Sequence, residues 1–173
     1  MTWRLTTIVS CAAAGAARGA LDAAIELDLQ YGGWRPAAPP GGDDTPAIYA
    51  ERTRETGSPR MAARLNVQDS DGTLLVSLSR TLRPASAAAY ADEAIDHQRK
   101  PSLSICLPDG DRSHVPEALA REVRAWIREE RIQALHVAGP GEDDEPGIQQ
   151  ATRDLLVWIF EDEIDLADRR PPS

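Results

Sequence analysis

Side chains able to do chemistry are few in this chain, and their value depends on where they fall relative to its apolar runs. Ser10-Cys-Ala-Ala-Ala-Gly15 follows the run Leu5–Val9 and opens an alanine-rich stretch. In α/β proteins that junction is an anion site, because free N–H groups and the positive end of a helix dipole meet at the carboxyl end of a strand. Glycines normally let the backbone close on the anion. Only Gly15 remains here, so the segment reads equally well as a plain strand-to-helix turn.

A second candidate is Glu142-Asp-Asp-Glu145, inside the loop Ala138–Gly147. Four consecutive carboxylates have the chemistry of a hard-cation site, but such a run is more often a solvated loop, which is the reading preferred here. Asp69-Ser-Asp71-Gly-Thr73 begins like a calcium loop, yet the downstream glutamate and remaining ligand spacings are missing. It reads as a turn leading into a strand. His97, His114 and His136 are dispersed, and His136 falls within an apolar run, as a packing histidine would. Cys11 and Cys106 have no metal-type spacing and read as two free thiols in a reducing compartment. No metal site and no catalytic residue is assigned.

Composition narrows the partners. The 173 residues carry a formal charge of −9, 27% charged and 42% hydrophobic residues. That is ordinary for a globular chain of one domain. Lys100 is the only lysine and the arginines are scattered. A surface for coating nucleic acid is excluded, because phosphate neutralisation needs clustered cations. A local pocket for a small anion is not. The apolar stretch before Cys11 is about five residues, short of a secretion-signal core. No other run approaches transmembrane length, so the expectation is a cytoplasmic protein without membrane contact.

The elements that would position these groups alternate. Leu5–Val9, Gln30–Gly33, Thr73–Ser79, Ser102–Leu107 and Ala134–Val137 read as strands. Helical periodicity falls between most of them: Gly15 to about Leu27, Ala87–Ile95 closed by Lys100-Pro101, Val115–Glu130, and Ile148, Ala151, Leu155 and Ile159 near the end. This predicts an α/β fold, a three-layer Rossmann-like doubly wound sandwich with a mostly parallel sheet of about five strands. The proline- and glycine-rich interval from Trp34 to about Pro59 reads as one long loop. Residues 1–165 form the expected single Rossmann-like domain, with a disordered tail over 166–173. Ligands of such sheets bind beyond the carboxyl ends of the strands. That places candidate loops at Ser10–Gly15, after Gly33, at Ser79–Ser86, at Pro108–Arg112 and at Ala138–Pro146.

Several stretches in this order resemble the molybdenum-carrier family, a branch of the lysine-decarboxylase-like Rossmann proteins that also includes cytokinin-nucleotide-processing enzymes. They are Ala20-Leu-Asp-Ala-Ala24, Gly32-Gly-Trp34 with Pro36, Asn66-Val-Gln-Asp-Ser-Asp-Gly-Thr73, Lys100-Pro101, and Val137-Ala-Gly-Pro140 with Pro146-Gly-Ile148. The likeness runs from about Ile8 to Leu156. The family's first turn usually reads Ser-Gly-Gly-Gln-Thr-Gly-x-Asp-Arg. Here Ser10, Gly15 and Arg18 match, while Cys11, Ala12, Ala13, Ala14 and Ala17 depart. A family Gly-Gly-Thr is Ala85-Ser-Ala87, and a family Arg-Thr pair is Ala62-Ala63. Turn and packing motifs survive while ligand-binding side chains are lost, which points to a retained fold with an altered pocket.

The resemblance implies a small anionic ligand, a molybdenum cofactor or a nucleotide-like molecule, and a protein that does not catalyse. It carries over Ser10, Gly15, Arg18, Gly33, Ser86, Gly139 and Pro140 as ligand-binding positions. Arg18 would be the anion's partner, with backbone N–H groups at Gly15 and Ser86. Two alternatives stay open. One is a nucleotide-processing hydrolase, for which Glu142 or Asp143 would supply the acid or base. The other is an interaction module without a pocket, associating as a homo-oligomer through Trp158 to Asp165, although Trp158 and Phe160 read first as packing residues.

Overall fold

The computed structural model describes residues 4–38, 40–78, 87–107 and 116–168, with side chains through 161. Six strands form one sheet: β1 (Thr7–Val9), β2 (Gln30–Pro36), β3 (Thr53–Thr56), β4 (Gly72–Ser77), β5 (Ser102–Cys106) and β6 (Ala134–Ala138). Their order is β3-β2-β1-β6-β4-β5, and every pairing is parallel. Between and after them lie α1 (Ala16–Glu26), α2 (Ala47–Ala50), α3 (Pro59–Gln68), α4 (Ala87–Gln98), α5 (Glu117–Glu129) and α6 (Ile148–Asp168). The Rossmann-like sandwich read from the sequence is the fold. Residues 169–173, the end of the expected tail, lie outside the described residues.

The strand order and the packing of the helices divide the molecule into two faces. α1, α5 and α6 pack together over one face, and α3 and α4 pack together on the other. The first face holds the larger core. Ile8, Leu74, Val76, Leu135 and Val137 from the sheet meet Leu21, Val123, Ile127, Leu155 and Ile159 from the helices. Gly19 on α1 lies against the Gln149 carbonyl of α6, where a Cβ would collide, so the two helices pack closely. The second face has a small core of Val67, Leu75, Ala91, Ala94, Ile95 and Ala138. No helix among the described residues is long and apolar enough to cross a membrane.

The sheet has one strand more than the sequence suggested. β3 lies inside the interval 34–59 that reads as a loop, and so does α2. Thr53-Arg-Glu-Thr56 has no apolar residue, and as an edge strand it draws its order from pairing with β2. Arg35 pins this region: its guanidinium meets Asp43 at 3.0 Å and Glu55 at 2.8 Å. The Thr45 amide, donating at 3.0 Å, holds the Asp43 carboxyl below its usual range, and Arg35 adds to the effect. α3 begins at Ser58, whose Oγ accepts from the Met61 amide at 3.1 Å, with Pro59 at the first helical position.

Candidate functional site

The helices after the neighbouring strands β4 and β6 pack on opposite faces of the sheet, the arrangement that in open α/β sheets leaves a crevice beyond the strand ends. The β1–α1 turn lies beside it. Residues 79–86, with Ser86, and 108–115 lie outside the described residues.

Within the β1–α1 turn the chain is bound to itself. Ser10 is fully buried. Its Oγ donates to the Ala17 carbonyl at 2.6 Å and accepts from the Ala12 amide at 3.3 Å, so the hydroxyl ties the turn to the first turn of α1. Gly15 forms an antiparallel bridge with Gly141: the Glu142 amide donates to the Ala14 carbonyl at 3.0 Å, and the Ala16 amide donates to the Pro140 carbonyl at 3.2 Å. Gly33 and Gly139 are both sites of close backbone approach. At Gly33, with φ near 139°, a Cβ would collide with the Ser10 carbonyl. At Gly139 it would collide with the Val76 carbonyl and with Ala16. These glycines set the spacing of β1, β2, β4 and β6 at their carboxyl ends.

Arg18 is the cation of the turn. It is half-buried, its Nε donates to the Ala12 carbonyl at 3.2 Å, and its guanidinium carbon lies 5.8 Å from the centre of the Tyr49 ring. Tyr49 in turn donates its hydroxyl to Asp22, which also accepts from Gln149 Nε2 at 3.1 Å. Burial and the Asp22 carboxylate push the Tyr49 phenol up to about 12, so it stays protonated. Tyr49 belongs to α2, within the interval that reads as a loop, and no local pattern marks it as Arg18's partner.

The acidic loop is engaged with backbone donors. Glu142 accepts from the Gly147 amide at 2.5 Å and from the Gln149 amide at 3.0 Å, with one oxygen each, and so caps the start of α6. Glu145 Oε2 accepts from the Leu78 amide at 2.6 Å and so spans the crevice from the β6 loop to the end of β4. Asp143 is exposed.

The remaining candidates serve the fold. Asp71 Oδ2 accepts from the amides of Gln133 and Ala134, at 3.0 and 2.9 Å, and Asp69 accepts from the Trp34 indole at 2.8 Å. His136 is buried, with Nδ1 3.2 Å from Thr73 Oγ1, and burial drives its pKa down to about 3. His97 is exposed on α4, and His114 lies outside the described residues. Burial pushes the Cys11 thiol up, against weaker opposing contributions from nearby amides and Arg18, which makes it a poor nucleophile at neutral pH. Phe160 is packed in the core, whereas Trp158 is 48% exposed.

Comparison with known proteins agrees with this architecture. The model of the circularly permutated YpsA SLOG family matches residues 8–160. The crystal structure of the "putative molybdenum carrier protein" from Syntrophus aciditrophicus SB is similar, with 36% identity and a TM-score of 0.76 over 90% of this chain and 94% of that one. No curated protein matches. The match spans all six strands and both helical layers, and on it the chain belongs to the circularly permutated YpsA SLOG family, with a molybdenum-carrier-like relative of known structure.

Proposed function

We propose that this protein binds a small anionic ligand beyond the carboxyl ends of β1, β6 and β4, and holds it without turning it over. The observation that carries the reading is Arg18, a half-buried cation anchored to the β1–α1 turn and laid on Tyr49 in a chain of charge −9. A guanidinium fixed in this way loses little freedom on meeting an oxyanion. The relative's name suggests a molybdenum-bearing ligand, either an oxyanion or the molybdenum cofactor. The family resemblance adds a nucleotide-like molecule.

The described residues suit such a ligand through its oxygen atoms. Arg18 offers donors and positive charge to such oxygens. The carboxylates of Glu142 and Glu145 sit on amides that a large polyphosphate would need, which favours a ligand of modest size and charge. A binding role also suits Glu142, both of whose oxygens hold backbone amides. In this reading Ser10, Gly15, Gly33, Gly139 and Pro140 shape the pocket wall, residues 1–165 act as one domain, and the protein works in the cytoplasm.

The test is a thermal-shift screen against molybdate, tungstate, adenosine monophosphate and ADP-ribose. A ligand at 100 times its Kd stabilises the folded state by about 2.7 kcal/mol, which raises the midpoint by a few degrees. The expected result is a shift that Arg18→Ala abolishes. A flat screen, or a shift that persists in Arg18→Ala, counts against the site.

A further inference from the structure

The sheet ends in two edge strands, β3 on one side and β5 on the other, and their sequences differ in kind. An open edge presents a row of unpaired N–H and C=O groups, and natural sheets blunt it with charge, proline or a covering element. β3 carries Arg54 and Glu55, both exposed. β5 reads Ser102-Leu-Ser-Ile-Cys106, without a charge or a proline. Leu103 and Ile105 turn to the side of the sheet that α5 covers, whereas Ser102 and Ser104 turn to the other side and are exposed.

The bonds between β4 and β5 settle which backbone groups are free. The Thr73 amide donates to the Pro101 carbonyl at 3.0 Å, and the Leu107 amide donates to the Ser77 carbonyl at 2.8 Å. With Thr73 in register with Ser102, the backbone groups of Leu103 and Ile105 therefore face β4. Those of Ser102, Ser104 and Cys106 point away from the sheet, and no hydrogen bond reaches them among the described residues. An antiparallel copy of the same strand fits this pattern. With Ser104 opposite Ser104, Ser102 lies opposite Cys106, and every outward residue faces an outward residue in a pair that exchanges both its bonds. Charge points the same way. In a chain of −9, an edge strand without carboxylates is a place where a second copy can approach with little like-charge repulsion.

We infer that β5 pairs with β5 of a second copy of this chain about a two-fold axis through Ser104, so that two six-stranded sheets become one. The amides of Ser102, Ser104 and Cys106 from each strand make six bonds across the axis. The axis runs normal to the sheet, so the two α5 helices lie on the same face of the joint sheet. The exposed hydroxyls of the two Ser104 residues face each other on the opposite side, where cross-strand serines can bond.

The test is sedimentation velocity of the full chain up to about 200 µM, a range that captures the weak association of a small interface. The wild type is expected to reach twice the mass of one chain. Ser104→Pro removes an outward N–H and leaves the bonds to β4 intact, as prolines on edge strands do. It should weaken dimerisation at least tenfold with an unchanged circular dichroism spectrum. Ser104→Lys sets two like charges at the axis and should do the same, which covers the case of a proline variant that folds poorly. Register is read by cross-linking. Ser102→Cys supplies a thiol opposite Cys106 of the second copy, and mild oxidation should give a covalent dimer whose digest contains a 102–106 link. In the wild type the two Cys106 residues lie about 14 Å apart along the strands and stay unlinked. The inference is overturned by a monomer throughout the range, by a dimer that survives both Ser104 variants, or by a wild-type 106–106 link. It is also overturned by a dimer that Trp158→Ser dissolves and Ser104→Lys does not, which would give the interface to α6.

Discussion

The burial of His136 makes a quantitative prediction about acid stability. Its ring is enclosed in β6, faces the neutral Thr73 hydroxyl, and titrates near 3, against 6.5 for a free imidazole. The unfolded chain therefore binds a proton below 6.5 that the folded chain refuses until about 3. Stability from this group is fully present above 6.5 and is lost as pH falls towards 3. In that window the slope approaches 1.4 kcal/mol per pH unit, so about 2 kcal/mol disappears between pH 7.5 and 5. That is a large share of the ~5–15 kcal/mol typical of a domain. Urea unfolding of the wild type and of His136→Gln, at pH 7.5, 6 and 5, measures it, since most carboxylates remain ionised throughout. The variant is expected to start from lower stability, because the buried Thr73 hydroxyl meets a poorer partner, but its pH slope should be flatter by one proton. Parallel slopes in the two proteins would refute the account, and the acid sensitivity would have to come from elsewhere.

Two further substitutions probe the frame of the site. Asn66 is fully buried and clamps the Trp34 backbone, accepting from its amide at 2.7 Å and donating to its carbonyl at 2.9 Å. Asn66→Leu keeps the volume but strands both backbone groups, and chemical denaturation should show a loss of about 2–4 kcal/mol. Glu142→Gln keeps one acceptor oxygen for the two amides at the start of α6 and weakens the dipole interaction, for a cost of about 1 kcal/mol in a thermal melt. A nucleoside monophosphate incubated with the wild type should release no free base, and release that is lost in Glu142→Gln would restore the hydrolase alternative.

Most of the frame was legible because its elements bury apolar stripes. β4 reads Leu74-Leu-Val76, α5 has one apolar face, and both are where periodicity put them. β3 was hidden for a physical reason: Thr53–Thr56 is an edge strand held by hydrogen bonds to β2, and backbone pairing leaves no hydropathy signature. α3 did carry a signal, Ser58-Pro59 as a cap and first-turn pair, but its mixed Pro-Arg-Met-Ala-Ala-Arg start obscures the apolar period. In the site, the ligand-loop reading of Ser10, Gly33 and Gly139 and their packing duties demand the same residue types. A small or glycine residue is needed wherever something approaches closely, and the sequence does not say whether the visitor is a ligand or another strand. Tyr49 and Glu145 were invisible as partners of Arg18 and Leu78 because each contact spans dozens of residues.

The contact between Glu145 and the Leu78 amide has a consequence for affinity. Held beside that amide by the fold, the carboxylate faces it at an effective concentration above that of a dissolved competitor. An external anion seeking the same donor is a competitor rather than a first occupant, and its apparent Kd is raised by the factor with which Glu145 already fills the position. Release of the carboxylate would also free the loop between β6 and α6 from β4. Occupancy at the end of β4 and the mobility of the acidic loop are thus two readings of one equilibrium, set by how well a ligand's oxygen replaces the protein's own.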